Sequence, residues 1–327
     1  MLIAFVGVMS ATPEGAILRW GKEFLIDGEA PLLFWKNAFT CLFGAVLSAL
    51  LDREHKEVSG RRILKGWPFF ALAVACQGFI AISFPLAFLY TYAANVIVLF
   101  SLTPLFSAIL GWVLLDDALP RRTVLALVAA TASITVMFVR PSGERPGHVF
   151  GDVLALVTGL VNSIFLVSVR AGLRRVPDLP TPLASSIGTA LGAVAALGWG
   201  NVCDVSSPVF FAPMLLDGFS IGIILVAFSI APRYVSAGEI GLVSLLEIVF
   251  TPGWVFLCFG EIPPEPTILG GAALLVIIAC HEWASLRADR LDYARVAPDR
   301  RDLEQPEFPA IDDTYATFKP QRAASTT

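Results

Sequence analysis

Glu14, Lys36 and Glu247 are ionisable residues standing inside stretches of sequence that are otherwise mainly apolar. A charge held in hydrocarbon costs roughly 2.5 to 3.5 kcal/mol on insertion scales, so each of these residues needs a partner or a wet cavity. At about 1.5 Å of helical rise per residue, Glu14 lies about 20 Å along its helix from Met1 and Lys36 about 8 Å inward from Pro31. Both then fall in the outer third of a bilayer. An ion pair between them would gate an outer mouth, touch substrate, or simply lock two helices together. Glu247 falls about 15 Å into its own apolar stretch on the same arithmetic. There a carboxylate can exchange a proton against substrate, bind a cationic group, or stay protonated and hydrogen-bonded to a neighbouring helix. Gln77 and Asn162 reach a similar depth, where amides orient a polar solute or glue helices together. Asn95 and Thr103 complete the substrate or coupling candidates.

Other chemistries find less support. Gly218-Phe219-Ser220-Ile221-Gly222 has the Gly-x-Ser-x-Gly spacing of hydrolase nucleophiles. That reading requires a strand-to-helix elbow and a basic partner. His55 falls in a loop, His148 at an interface and His281 near the end of a span, so none serves a mid-span serine. His281-Glu282 lacks the second histidine of a zinc motif, and no phosphate-binding Gly-x-x-x-x-Gly-Lys run occurs. The five cysteines show no Cys-x-x-Cys spacing and read as small apolar residues. No metal or cofactor is therefore expected. A net charge of -4 with no basic patch points away from nucleic acid. The alternatives to moving a solute are an intramembrane enzyme acting on a lipid-linked substrate, with polar catalytic residues clustered toward one leaflet, and a structural or assembly membrane protein whose polar residues are paired around a dry cavity.

The elements that hold these residues follow from composition. Hydrophobic residues make up 56% of the 327 and charged residues only 15%, against about a quarter charged in an average soluble domain. Residues 66–115 run without one Asp, Glu, Lys or Arg. That is too long for a single crossing of roughly 20 residues, so two spans must meet at a turn near Tyr90, Thr91 and Tyr92. Breaking the chain at charges, Gly and Pro gives ten spans: 2–18, 31–51, 67–90, 92–115, 124–139, 149–169, 183–200, 209–231, 237–259 and 267–283. Pro13-Glu14-Gly15 interrupts the first. Residues 2–10 lack a basic leader and read as half a span, not as a secretory signal. With the N-terminus cytoplasmic, sixteen Lys and Arg fall in inner connections and the near tail, against four outside. This excess inside fits ten spans with both termini cytoplasmic.

The chain also resembles itself. Residues 90–136 align without gaps onto 234–280, bringing Asp117 onto Glu261, Pro120 onto Pro264 and Thr103 onto Glu247. Five spans in each half force the halves into opposite orientations, the inverted repeat of many secondary transporters. The expected architecture is an all-α integral membrane protein of ten transmembrane helices, as two inverted five-helix repeats at 1–140 and 149–285. A disordered, charged cytoplasmic tail is expected over 286–327.

Three places carry a family resemblance: Tyr92 to Pro120, its counterpart Val235 to Pro263 with Gly260-Glu261, and Gly151-Asp152 opening the second half. In these the chain resembles the EamA-type family of the drug/metabolite transporter superfamily. The resemblance implies ten spans, inverted repeats, cytoplasmic termini and export or exchange of metabolites or drug-like solutes through a central cavity. It departs from the family in its first span, which reads Met-Ser-Ala-Thr-Pro-Glu-Gly, and at Lys36, where Arg is common. The expected partners are a small-molecule substrate and membrane lipids, with a second copy of the chain as a further candidate. The expected location is a bacterial inner membrane, and no catalytic activity is expected.

Overall fold

A computed structural model describes residues 2–51, 60–115, 121–138, 148–176, 179–230, 246–262 and 265–296. Among them the structure is helical, with no strand beyond an isolated antiparallel bridge between Leu25 and Val205. The chain divides into two units, 1–286 and 287–327.

The first expected span is two short helices, α1 (Leu2–Ala11) and α2 (Glu14–Lys22). Pro13 lies at the break, because it has no N–H to donate and its ring crowds the preceding turn. The chain restarts at once, the Ile17 N–H donating to the Pro13 carbonyl at 2.9 Å. Then come α3 (Ala30–Leu51), the short α4 (Gly60–Lys65) and α5 (Trp67–Tyr90). The turn expected at Tyr90 to Tyr92 is present, and α6 (Ala93–Phe100) begins after it. The fourth expected span is also broken: α6 stops and α7 (Thr103–Leu115) starts after Ser101 and Leu102. Here Ser101 Oγ donates to the Val98 carbonyl and Thr103 Oγ1 to the Phe100 carbonyl, both at 2.7 Å. Such back-bonding competes with the helical ladder.

The rest comprises α8 (Arg121–Phe138), α9 (His148–Arg175), α10 (Thr181–Ala196), α11 (Phe211–Ile230), α12 (Leu246–Phe259) and α13 (Glu265–Val296). Helix α9 runs six residues past the expected end at 169, and α13 continues to Val296. An unstructured tail beginning at 286 is thus not what the described residues show, since 287–296 are helical; 297–327 lie outside them. Of the ninth expected span, 237–245 lie outside the described residues too.

Among the described residues, five helical stretches are long and apolar enough to cross a membrane: Ala30–Leu47, Trp67–Tyr90, Ala93–Leu114, Val149–Arg175 and Pro208–Ala227. Shorter apolar helices lie at Thr181–Ala196, Phe250–Phe259 and Ile268–His281. Large apolar side chains such as Leu114, Leu125 and Leu257 are exposed, which is stable where hydrocarbon replaces water.

Packing brings helices of the two halves of the sequence together. Helix α5 lies between α9 and α10, and α3 lies between α10 and α11. Helix α11 also contacts α1 and α2, while α12 contacts α2 and α6. The α3–α11 approach depends on Gly218, where a Cβ would clash with Phe39 and stand 2.8 Å from the Thr40 nitrogen. Small residues permit such backbone approach between membrane helices. The core runs through Leu18, Leu32, Leu33, Phe88, Val96, Leu99, Phe210 and Met214.

Candidate functional site

Three helices bring charge into the middle of this packing. Lys36 on α3 places Nζ 2.8 Å from Glu14 Oε1 and 3.2 Å from Asp217 Oδ2. The residues are 4%, 5% and 0% exposed, so all three are withdrawn from solvent. Glu14 is the first residue of α2, directly after the Pro13 break, and Asp217 lies in α11 beside Gly218. The close approach that Gly218 permits is what delivers Asp217 to Lys36. Asp217 Oδ1 has no hydrogen-bond partner among the described residues, and neither has Thr40 Oγ1 one turn along α3 from Lys36. Both atoms can receive a donor.

The wall around this cluster is drawn from both halves of the sequence. Asn37, also buried, donates Nδ2 to the carbonyls of Leu33 at 2.8 Å and Ala81 at 2.9 Å, tying α3 to α5. Trp254 Nε1 on α12 donates to Thr12 Oγ1 at 3.2 Å, next to the break that carries Glu14. Trp35 stacks edge-on against Phe211 at the start of α11, with ring centroids 5.0 Å apart. Glu247 at the start of α12 lies within Coulombic range of Glu14. Three carboxylates therefore share one region with one lysine.

A second polar cluster closes one end of the bundle. Thr91 Oγ1 donates to Asp152 Oδ1 at 2.7 Å, and Asn95 Nδ2 donates to the same oxygen at 2.9 Å. Arg19 pairs with Glu261 at 2.8 Å and also donates to the Thr91 carbonyl at 2.9 Å. Glu261 in turn accepts from the Ala93 N–H at 3.2 Å, at the start of α6, and Lys22 donates to the Leu89 carbonyl. Gly260 makes this possible: its φ of 65° ends α12 in the left-handed conformation, which glycine adopts without a Cβ penalty. A cavity of about 280 Å³ lined by Arg19, Lys22, Glu23, Phe259 and Glu261 opens here.

The sequence candidates thus separate. Glu14 and Lys36 meet, and Glu247 lies near them. Asn95 belongs to the Asp152 cluster. Thr103 Oγ1 also donates to the Gly159 carbonyl at 3.2 Å, clamping α7 to α9. Gln77 lies where α5 passes Gly188 of α10, and Asn162 is half-buried on α9. Asp217 went unrecognised, although it is the one charge in the apolar stretch 209–231 and the rule that singled out Lys36 applies to it. Ser220, of the hydrolase-like spacing, lies mid-helix in α11, not at a strand-to-helix elbow. No group of His, Cys, Asp and Glu among the described residues could hold a metal ion.

Comparison with known proteins agrees with this architecture. Residues 2–139 match the EamA-like transporter family. An uncharacterized transporter of Synechocystis sp. is 24% identical over 294 residues, 84% of each chain. A chain of known crystal structure superposes with a TM-score of 0.61 at 19% identity, covering 88% of this chain and 98% of its own length. That likeness is one of fold.

Proposed function

We propose, from a chain whose residues 2–139 are EamA-like and whose helices make it a multi-pass integral membrane protein, that it is a secondary transporter of a small polar or charged solute. The observation that carries this reading is the buried Glu14–Lys36–Asp217 cluster. Glu14 and Lys36 come from the first half of the sequence and Asp217 from the second. A charged cluster between halves, beside a discontinuous helix, is the setting in which secondary transporters hold substrate. A structural role alone would be served as well by apolar side chains, since replacing a buried ion pair with well-packed hydrophobes is often neutral or stabilising.

The finer reading is ten spans in two inverted repeats, with both termini on the cytoplasmic side of a bacterial inner membrane. Its support is the Lys and Arg distribution and the 144-residue offset, which carries Thr103–Leu115 onto helical residues 247–259. In this arrangement the Arg19–Glu261 end of the bundle faces outward. Rocking of the halves would open and close each side of the cluster in turn, exporting or exchanging the solute.

The test is a ligand-stabilisation screen. The protein in detergent is melted with amino acids, nucleotides, sugars, polyamines and cationic drugs, because a ligand that binds only the folded state raises apparent stability. One chemical class is expected to raise Tm in the wild type and to lose its effect in Asp217→Asn. Absence of any shift across the panel counts against a solute site.

A further inference from the structure

The buried cluster holds more carboxylates than ammonium groups. Glu14 and Asp217 both stand within ion-pair distance of Lys36, and Glu247 adds a third acid within Coulombic range of Glu14. The shortage falls on Asp217. Lys36 Nζ is 2.8 Å from Glu14 Oε1 but 3.2 Å from Asp217 Oδ2, and neither Asp217 oxygen accepts a hydrogen bond among the described residues. The residue is fully buried, so bulk solvent does not complete it. Buried polar atoms are ordinarily partnered, and one that is not calls for an explanation. A water molecule would satisfy one oxygen and leave the charge unbalanced. A proton on Asp217 would balance the charge but leave an O–H without an acceptor among the described residues.

Thr40 makes the same demand. Its hydroxyl is buried and without a partner among the described residues, one turn along α3 from Lys36. Gly218, next to Asp217, brings α11 against this residue, since a Cβ there would stand 2.8 Å from the Thr40 nitrogen. Whatever completes both groups must donate hydrogen bonds and carry positive charge. Lys36 shows the form of such a group, because its ammonium already lies between Glu14 and Asp217. An ammonium of this kind has three N–H donors and no acceptor. A quaternary ammonium has no N–H to give. An inorganic cation of the hard class needs several oxygen ligands, and no group of acids among the described residues could hold a metal ion. An anion would have to draw Lys36 away from two carboxylates, and so would the carboxylate of a zwitterion.

Resting on the transporter reading above, we infer that the solute is an organic amine without a carboxylate, whose ammonium donates to Asp217 and Thr40 while Lys36 stays on Glu14. Hydrogen bonds between two ionised groups are about twice as strong as neutral ones, so Asp217 supplies most of the selectivity and Thr40 orients the amine. Lys36 acts as the tethered counterpart of the solute: without the amine it serves both carboxylates, and with it Glu14 alone.

Melting of the detergent-purified wild type with four probes of one carbon skeleton tests the class directly: butylamine, trimethylbutylammonium, 4-aminobutanoate and butanoate. Butylamine is expected to raise Tm saturably, and the other three, like sodium and potassium chloride at equal concentration, to leave it unchanged. Asp217→Asn is expected to raise the butylamine concentration giving half the maximal shift about tenfold or more. The isosteric Thr40→Val, which leaves every charge in place, is expected to raise it several-fold. Glu29→Gln removes a carboxylate outside the cluster, one that accepts from the Tyr90 hydroxyl at 2.8 Å, and is expected to leave the butylamine shift unchanged. Equal shifts by butylamine and trimethylbutylammonium, a preference for 4-aminobutanoate or butanoate, undiminished butylamine binding by both cluster variants, or no shift by butylamine would overturn the amine assignment. A shift by a different class in the wider panel, lost in Asp217→Asn, would remove this inference and leave the transporter reading standing.

Discussion

Lys36 is held between Glu14 and Asp217 with almost no solvent around any of the three. Removing one member of a buried ion cluster leaves the others uncompensated, at a cost of about 3 to 5 kcal/mol. Lys36→Met is therefore expected to destabilise the protein by about that amount, read from the denaturation midpoint in detergent. Neutralising both partners in the same background, as Lys36→Met/Glu14→Gln/Asp217→Asn, is expected to recover much of the loss. A Lys36→Met variant as stable as wild type would mean that the carboxylates do not depend on the lysine. At this scale the sequence was informative but incomplete. Charge in an apolar stretch identified Glu14, Lys36 and Glu247, yet the second partner of Lys36, Asp217, lies 181 positions further on in the chain. Only the α3–α11 approach brings it near. Asn95 and Thr103, candidates on the same footing in sequence, hydrogen-bond in the fold to Asp152 and to the Phe100 and Gly159 carbonyls.

Breaks in the helices matter as much as the helices. Pro13 divides the first expected span and sets Glu14 at a helix start. There a carboxylate is favoured by the positive end of the helix dipole. Pro13→Ala is expected to restore continuity between α1 and α2, keep or raise Tm, and abolish the ligand-dependent shift by turning Glu14 away from Lys36. A variant that keeps the shift would show that the break does not position the site. Gly218→Leu is expected to do the opposite, lowering Tm by forcing α3 and α11 apart, and circular dichroism melting would register it. The sequence reading located most elements, since apolar runs bounded by charges survive as helices. It missed the interruption at Ser101 and Leu102, because hydroxyls returning to their own helix carry no hydropathy signal. It also ended α9 too early, because Arg170, Arg174 and Arg175 stop an apolar run without stopping a helix.

For the whole molecule, transport requires that one end of the bundle opens. The Arg19–Glu261 pair joins α2 to the residues after α12, and Glu261 also holds the start of α6. Arg19→Cys/Glu261→Cys in a cysteine-free background is expected to be trapped by a short thiol cross-linker, and transport to stop until the link is cleaved. Continued transport in the linked protein would rule out movement at that end. Charge asymmetry and register support the ten-span reading proposed above, but which helices touch was not legible, because every face of an apolar span looks alike in sequence. Cysteine labelling at Lys65→Cys from the cytoplasmic side, and at Asn201→Cys from the opposite side, checks the orientation. The most direct test of the central claim is counterflow in proteoliposomes, using whichever ligand stabilises the detergent-purified protein. Preloaded unlabelled ligand is expected to drive uptake of labelled ligand by the wild type and not by Asp217→Asn; a ligand that binds without any counterflow in the wild type would contradict the assignment as a transporter.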